Sequence, residues 1–296
     1  MSTTTYTPPV NKLLTIGEPE SVNPDKWPDY RELGLGPEHI PELIRMAIDP
    51  EFRGPEAAEE SEEEDPDFWA PLHAIRALGQ LHAETAIEPL VNLLGELNDD
   101  EWMFEELPLV FGMLGPAAIP ALAAYLADTS HEMYSRSYAS NGITEIADRY
   151  PESREECIAA ISKQLETFEE NDEELNALII SDLLHLKAIE TLPLIERAFE
   201  ADKVDEFIID LDDVLVGFGL KEREEIPNPF AFGNFFEKLE KRGSSISPDQ
   251  IKIVTSDTPD TTPPMQKARP STYGATGNII KFSGKRVTKK KGKKKR

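Results

Sequence analysis

Cysteine is nearly absent from this chain, and no apolar run approaches the length of a membrane span. The only cysteine among 296 residues, Cys157, leaves no internal disulfide framework and no cysteine-based structural zinc site. The first residues, MSTTTYTPPVNKLL, lack a basic segment followed by a hydrophobic stretch. These absences predict a soluble, unexported protein of the cytoplasm, or of the nucleus if the source is eukaryotic.

Positive charge is scarce outside the last sixteen residues. The chain has 31 Lys and Arg against 56 Asp and Glu, a formal net charge of -25. Residues 281–296 contribute ten Lys and Arg and no acid, so the rest of the chain carries 21 basic against 56 acidic side chains, or -35. A body of that sign repels nucleic acid and anionic lipid and attracts a cationic partner.

Motifs that would support catalysis or nucleotide binding are missing from the sequence. It contains no GxGxxG, GxxxxGK[ST], HExxH or GxSxG pattern. Cys157 lies on the apolar face of a predicted helix, which favours a core residue over a nucleophile. The sequence therefore predicts no cofactor, no metal and no catalytic residue.

Histidines could still build a metal site, so their arrangement matters. One known class of enzymes holds two irons through several His-Glu doublets, whereas this chain has one doublet, His131-Glu132. A dinuclear site needs more ligands than one doublet supplies. We expect His131 to lie in the first turn of a helix beside a capping Glu, and His82 and His185 to make hydrogen bonds at turns.

Apolar residues recur at helical spacing over most of the chain, and no alternating pattern indicates strands. Helix pairs are predicted at 67–82 with 84–96, 101–114 with 116–127, 130–150 with 153–169 and 172–186 with 189–200, after a helix at 37–48 and before one at 204–218. Thr129-x-x-Glu132 and Ser153-x-x-Glu156 both fit a capping box.

The helix pairs repeat in sequence. Residues 77–94, ALGQLHAETAIEPLVNLL, align with residues 182–199 without a gap at an offset of 105, so that Leu78 matches Leu183. Residues 110–126, VFGMLGPAAIPALAAYL, align with the first segment 33 residues earlier, with Gly112 matching Gly79. This period predicts one helix pair per repeat, stacked into a continuous core.

Segments 77–94 and 110–126 resemble the HEAT-like repeats named after phycobilisome lyase subunits, in which a Leu-Gly helix end precedes an Ala-Ile-x-Pro-Leu helix start. The resemblance covers roughly residues 67–200. It implies an all-α fold, an α-solenoid of antiparallel helix pairs of the HEAT or armadillo kind, to which the composition adds disordered flanks. It also implies a scaffold, an adaptor or a subunit that attaches bilins.

Composition divides the chain into four parts. Proline-rich residues 1–34 are predicted to form an extended arm, and residues 35–220 the solenoid, with an acidic loop at 51–67. Residues 221–280 are predicted to be a mostly disordered linker with a short helix at 232–242, and residues 281–296 a basic disordered tail.

Aromatic residues among acids are the candidate protein-binding residues. Trp102 and Phe104 lie in EWMFEEL, and Tyr134 and Tyr138 lie one turn apart on a predicted helix. Tyrosine and tryptophan are enriched at binding hot spots, although ordinary packing is the simpler explanation for Trp102 and Tyr138. We expect such a surface to bind a basic, partly apolar peptide.

Basic residues of the tail are the candidate polyanion-binding residues, and they are Lys285, Arg286, Lys289, Lys290, Lys291, Lys293, Lys294, Lys295 and Arg296. Such a tail permits weak, salt-sensitive contact with nucleic acid or ribosomes. A nuclear-import signal, a solubilising tail and self-association with the acidic loop are alternatives.

Three functions stay open from the sequence. The first is a non-catalytic protein-binding scaffold or adaptor without membrane insertion. The second is a phycobilisome-lyase-like subunit that attaches bilins, and the third is an RNA- or ribosome-associated factor acting through the tail. The first is preferred because no catalytic motif supports the second and because the acidic body repels nucleic acid.

Overall fold

The computed structural model of the protein describes residues 5–52, 66–96 and 101–222, with side chains of the last range described from Glu105 onward. These residues contain ten α-helices and no β-strand. The helices are α1 Ile40–Ala47, α2 Ala70–Gln80, α3 Ile87–Leu93, α4 Glu101–Leu114, α5 Ile119–Ala127, α6 Met133–Arg149, α7 Arg154–Leu165, α8 Glu173–His185, α9 Leu192–Glu200 and α10 Leu211–Gly217. The predicted all-α fold is confirmed.

The helices pack in two rows. In the first row α1 contacts α2, α2 contacts α4, α4 contacts α6 and α6 contacts α8. In the second row α3 contacts α5 and α5 contacts α7, while α6 also packs against both α5 and α7. This order of contacts is what stacked antiparallel helix pairs produce. The superhelical path of a solenoid stays a prediction.

Both predicted capping boxes are wrong, each for its own reason. The cap of α6 is Glu132, whose side chain accepts no capping hydrogen bond, so Thr129 lies three residues too early. Ser153 ends the 3-10 turn Pro151–Ser153 with φ -95 and ψ 0, and it makes no capping bond either. A capping side chain needs extended backbone at its own residue, and the 3-10 turn removes that geometry at Ser153.

Left-handed residues end two of the first-row helices at equivalent positions. His82 has φ 48 and Lys187 has φ 54. Behind His82, the amide of Ala83 donates to the carbonyl of Leu78 at 3.1 Å, and behind Lys187 the amide of Ala188 donates to Leu183 at 2.9 Å. These are the long bonds of Schellman caps. Helices α2 and α8 therefore end with the same backbone hydrogen bond at residues that are 105 positions apart, the offset found in the sequence repeat.

Glycines mark the closest approach between first-row neighbours. A Cβ on Gly79 would lie 3.0 Å from Sδ of Met113 in α4, and one on Gly112 would lie 2.9 Å from Cβ of Glu145 in α6. Gly79 and Gly112 are the matched glycines of the sequence repeat. The repeat thus has glycine where atoms of the neighbouring first-row helix leave little room for a side chain.

The N-terminal segment is not extended, which corrects the predicted conformation of the arm. It forms 3-10 helices at Val10–Thr15, Pro24–Lys26 and Tyr30–Leu33. Its buried apolar side chains join the same hydrophobic cluster as those of α1 and α2, and they are Tyr6, Val10, Leu13, Trp27 and Tyr30. Proline fits the first position of such turns, so a proline-rich stretch here folds and packs.

Several sequence predictions fall outside the described residues. The acidic loop 51–67 is described only at its two ends, and residues 223–296, including the helix predicted at 232–242, are not described. The helix predicted at 204–218 is shorter, Leu211–Gly217. The predicted domain boundaries stay predictions.

No single described helix is both long and apolar enough to cross a membrane, although one bent pair, Glu105–Leu114 with Pro116–Ala127, meets the length and composition criteria.

Candidate functional site

One face of α2 holds the chain's own N-terminal segment through backbone contacts. Nε2 of His73 lies 2.8 Å from the carbonyl oxygen of Gly17, and Nη2 of Arg76 donates to the carbonyl of Ser21 at 2.9 Å. Gln80 donates through Nε2 to the carbonyl of Pro28 at 2.9 Å. Residues 17–30 therefore run along α2, held by side chains at helical spacing.

Arg76 is the centre of this α2 face. Its side chain is 1% exposed, and its Nε donates to Oε2 of Glu106 on α4 at 2.6 Å in a bidentate pair. Its guanidinium carbon lies 4.6 Å from the centre of the Trp27 ring. Arg76 thus joins α2, α4 and the N-terminal segment in one buried cluster, where removing either charge takes the opposite charge away from a buried ion.

His73 is a neutral donor and acceptor in the same cluster. Burial lowers the pKa of His73 to about 4. Since the carbonyl of Gly17 can only accept, Nε2 carries the proton, and Nδ1 accepts from the Tyr30 hydroxyl at 2.6 Å. Burial also raises the pKa of Tyr30. Both ring nitrogens are therefore satisfied by the N-terminal segment.

A second face lies on α6 and α8, farther along the first row. This face contains five residues of α6 and four residues of α8. Along each helix the residues follow one another at intervals of three or four positions, so each set lies on one side of its helix. We call it the α6–α8 face, and its members are Tyr134, Tyr138, Asn141, Glu145, Asp148, Glu174, Leu178, Ser181 and His185. All nine side chains are partly or fully exposed.

The α6–α8 face and the α2 face occupy equivalent positions. The ungapped offset of 105 residues places Gln80 opposite His185, Arg76 opposite Ser181 and His73 opposite Leu178. On α2, His73 and Arg76 are buried beneath the N-terminal segment, whereas Leu178, Ser181 and His185 are partly exposed or exposed. The same side of a first-row helix is covered at one end of the stack and accessible at the other.

Asp182 joins α6 to α8 below this face. Ser140 donates to Oδ2 of Asp182 at 2.5 Å, and Nδ2 of Asn141 donates to Oδ1 at 2.8 Å. Burial raises the pKa of Asp182 to about 7, against the lowering effect of the two hydrogen bonds and of His185, while the nearby Glu145 also raises it. A buried carboxyl therefore changes charge near neutral pH directly beneath the α6–α8 face.

Charge on the α6–α8 face is predominantly negative. Oδ2 of Asp148 lies 2.7 Å from Nε2 of His185, and this hydrogen bond raises the pKa of His185. Partial burial and the nearby Glu174 carboxylate raise the pKa of Tyr134. Where the α2 face presents hydrogen-bond donors to carbonyls, the α6–α8 face presents carboxylate acceptors, which suit amide N–H groups and cationic side chains.

The aromatic residues predicted from sequence to bind a partner have different surroundings. Tyr134 is 58% exposed, while Tyr138 is partly buried and packs against the core. Trp102 and Phe104 lie in α4, but their side chains are outside the described part of the structure. Tyr134 and Tyr138 share the α6–α8 face, and whether they bind a partner stays a prediction.

The predicted polyanion-binding tail lies outside the described residues, so its role stays a prediction. Cys157 is completely buried, and burial raises the pKa of its thiol to about 11, as expected of a core residue.

The histidines make structural contacts. His82 lies 2.7 Å through Nδ1 from the carbonyl of Met113, which confirms a hydrogen bond at a turn. His131 stacks on Tyr125 with ring centres 3.8 Å apart, and it precedes α6 instead of lying in its first turn. Among the described residues no three His, Cys, Asp or Glu side chains are grouped so as to hold a metal ion.

The helix pair that carries the α2 face also matches a known family. Residues 72–101 match the family model of the PBS lyase HEAT-like repeat. This chain contains a HEAT-like repeat. The HEAT-like repeat begins within α2, includes α3 and ends at the first residue of α4. No curated protein and no solved structure matches the chain significantly. The match supports a repeat scaffold in general.

Sequence analysis missed the polar residues that organise both faces. His73, Arg76 and Gln80 form a polar stripe on an otherwise apolar helix of the HEAT-like repeat, and that stripe was a visible signal. Their hydrogen-bond partners in the N-terminal segment lie 43 to 56 residues earlier in the chain, and no local pattern identifies them. Asp182 gave no signal, because its burial depends on the packing of α6 against α8.

Proposed function

We propose that this protein is a non-catalytic scaffold, and that its α6–α8 face binds an extended, basic and partly apolar segment of a partner protein. The observation that carries the proposal is the N-terminal segment on α2, bound through its backbone along one helix face. The equivalent face of α8, together with α6, is accessible and has its own hydrogen-bonding groups.

The chemistry of the α6–α8 face favours a positively charged partner. Glu145, Asp148 and Glu174 provide carboxylates at its edges, and the chain outside residues 281–296 has a net charge of -35. Such a surface increases the association rate of cationic segments and disfavours anionic ones. Tyr134 and Leu178 add apolar surface that a purely ionic partner would not need.

The test uses two fluorescent peptides of equal length and the full chain. One alternates lysine with leucine, and the other has glutamate in place of each lysine. We expect the basic peptide to bind and the acidic peptide not to bind, by fluorescence anisotropy. Tyr134→Ala should weaken binding about tenfold, because an exposed aromatic side chain that a partner covers is typical of hot-spot residues. Glu174→Gln should weaken it by a smaller factor.

Matched controls separate the α6–α8 face from the general acidity of the chain. Ile189→Ala removes an exposed hydrophobic residue elsewhere, and Glu196→Gln removes an exposed acid on α9. Neither should change the affinity appreciably. Equal binding of both peptides, or equal loss from Tyr134→Ala and the controls, would contradict the proposal.

A further inference from the structure

A buried carboxyl lies one hydrogen bond beneath the α6–α8 face. Nδ2 of Asn141, a partly exposed member of that face, donates to Oδ1 of Asp182 at 2.8 Å, and the buried Ser140 donates to Oδ2 at 2.5 Å. Asp182 itself is only 6% exposed. A partner lying on the face would therefore be separated from the Asp182 carboxyl by a single amide group.

The two side chains that donate to the Asp182 carboxyl are both uncharged. Burial disfavours the charged form of a carboxyl, and hydrogen bonds to the carboxylate favour it. Here burial has the larger effect, since the pKa of Asp182 is raised to about 7. A further positive charge near Asn141 would therefore act on a carboxyl that is already close to losing its proton.

His185 is a second group on this face whose charge changes with pH. Its Nε2 lies 2.7 Å from Oδ2 of Asp148, and this hydrogen bond raises the pKa of His185. Glu145 of α6 acts on both groups, because its charge raises the pKa of Asp182 and that of His185. As the pH rises through neutrality, Asp182 gains a negative charge and His185 loses a positive one, so both changes make the face more negative.

Three cations on the elements packed around α8 donate to backbone carbonyls. Nε of Arg136 on α6 donates to a carbonyl at the end of α5 at 2.8 Å, and Arg154 of α7 donates to two carbonyls just after α8. Lys187 donates to the last carbonyl of α10, where Asp212 pairs with Lys221. A cationic side chain of a partner would thus bring the buried carboxyl a counter-charge from outside.

We propose that the α6–α8 face binds its basic segment with release of protons from Asp182 and His185, a regulation that rests on the proposed function of this face. A cation above Asn141 favours the carboxylate form of Asp182. The carboxylate strengthens the binding of that cation by the same factor, because the two equilibria are linked. His185 adds to the effect, since its protonated ring repels a cation and its neutral ring does not.

The test measures the affinity of the full chain for the lysine–leucine peptide at pH 5.5 and pH 8.5 by fluorescence anisotropy. The peptide is acetylated at its amino end, so its charge is nearly constant over this range. We expect binding to be about tenfold tighter at pH 8.5, with about threefold from each of the two groups, a factor typical of partly exposed charges.

Variants separate the two contributions. Asp182→Asn should reduce the change to about threefold, because the amide oxygen can accept from Asn141 and the amide nitrogen can donate to Ser140, as the protonated carboxyl would. Asp182→Asn/His185→Gln should remove the pH dependence. Asp213→Asn, a matched loss of an exposed acid on α10, should leave the change at about tenfold.

The possible outcomes distinguish this proposal from the proposed function. Absence of peptide binding at both pH values would overturn both. Binding of equal affinity at pH 5.5 and 8.5 would overturn the proton linkage alone and leave the binding function standing. A pH dependence that survives in Asp182→Asn/His185→Gln would also overturn the linkage, because other groups would then be responsible.

A titration of the unaltered protein checks the linkage without any variant. The carboxyl carbon of Asp182, followed by ¹³C NMR, should titrate at a lower pH when the protein is saturated with the peptide than when it is free. An Asp182 titration that the peptide does not move would overturn the assignment of Asp182 as a proton donor in binding.

Discussion

The α2 face and the α6–α8 face are the same side of repeated helices with opposite chemistry. On α2, His73, Arg76 and Gln80 donate hydrogen bonds to backbone carbonyls of the N-terminal segment of the same chain. On α6 and α8, carboxylates and tyrosines stay accessible. The comparison shows that the same side of two equivalent helices differs both in cover and in charge, since one lies beneath the N-terminal segment and the other is accessible.

Breaking the covered face should have the largest effect. Arg76→Ala leaves Glu106 buried without its cation, and we expect a loss of about 3–5 kcal/mol in the free energy of unfolding. Urea unfolding followed by circular dichroism measures it. The control Arg76→Met/Glu106→Leu, which removes both charges, should lose far less. A loss from Arg76→Ala below about 1 kcal/mol would show that the pair does not hold α2 to α4.

Replacement of Asp182 should have the second-largest effect, and it should increase the free energy of unfolding instead of decreasing it. Burial raises the pKa of folded Asp182 from its ordinary value of 3.8 to about 7, so its contribution is most favourable below pH 4 and is lost as the pH rises towards 7. Asp182→Asn removes that loss, and we expect a gain of about 2 kcal/mol in unfolding free energy at pH 8 relative to pH 5. Unfolding curves at the two pH values measure it, with Asp213→Asn as an exposed control. A pH-independent effect would contradict the assignment.

The Asp148–His185 pair should have the smallest effect. Both side chains are more than a third exposed, so solvent screening limits their coupling to about 0.5 kcal/mol. Since the pKa of His185 is raised, the coupling is fully present below pH 6.5 and disappears as the pH rises above the folded pKa. A double-mutant cycle with Asp148→Asn and His185→Gln at pH 5.5 and 8.5 measures it. A coupling free energy that is larger at pH 8.5 than at pH 5.5 would contradict the predicted pH dependence.

Local sequence patterns predicted the helices well and their surroundings poorly. Periodicity placed the helix 101–114 at its observed bounds, and the Leu78–Leu183 register recurs in the helix ends. The conformation of the N-terminal segment could not be predicted, because Trp27 and Tyr30 are buried by residues 40 or more positions later. The burial of Asp182 could not be predicted for the same reason, because its partners Ser140 and Asn141 lie on a different helix.

The Arg76 cluster also sets an order of events during synthesis. Residues 17–30 leave the ribosome first, yet their binding site needs His73 and Gln80 from α2 and Glu106 from α4. Chains are made at roughly 5–20 residues per second, so this segment stays without its site for several seconds. We therefore expect Trp27 and Tyr30 to be accessible to chaperones during that interval. Residues 17–30 are synthesised before α2 and α4, yet they can pack only after both helices have been made.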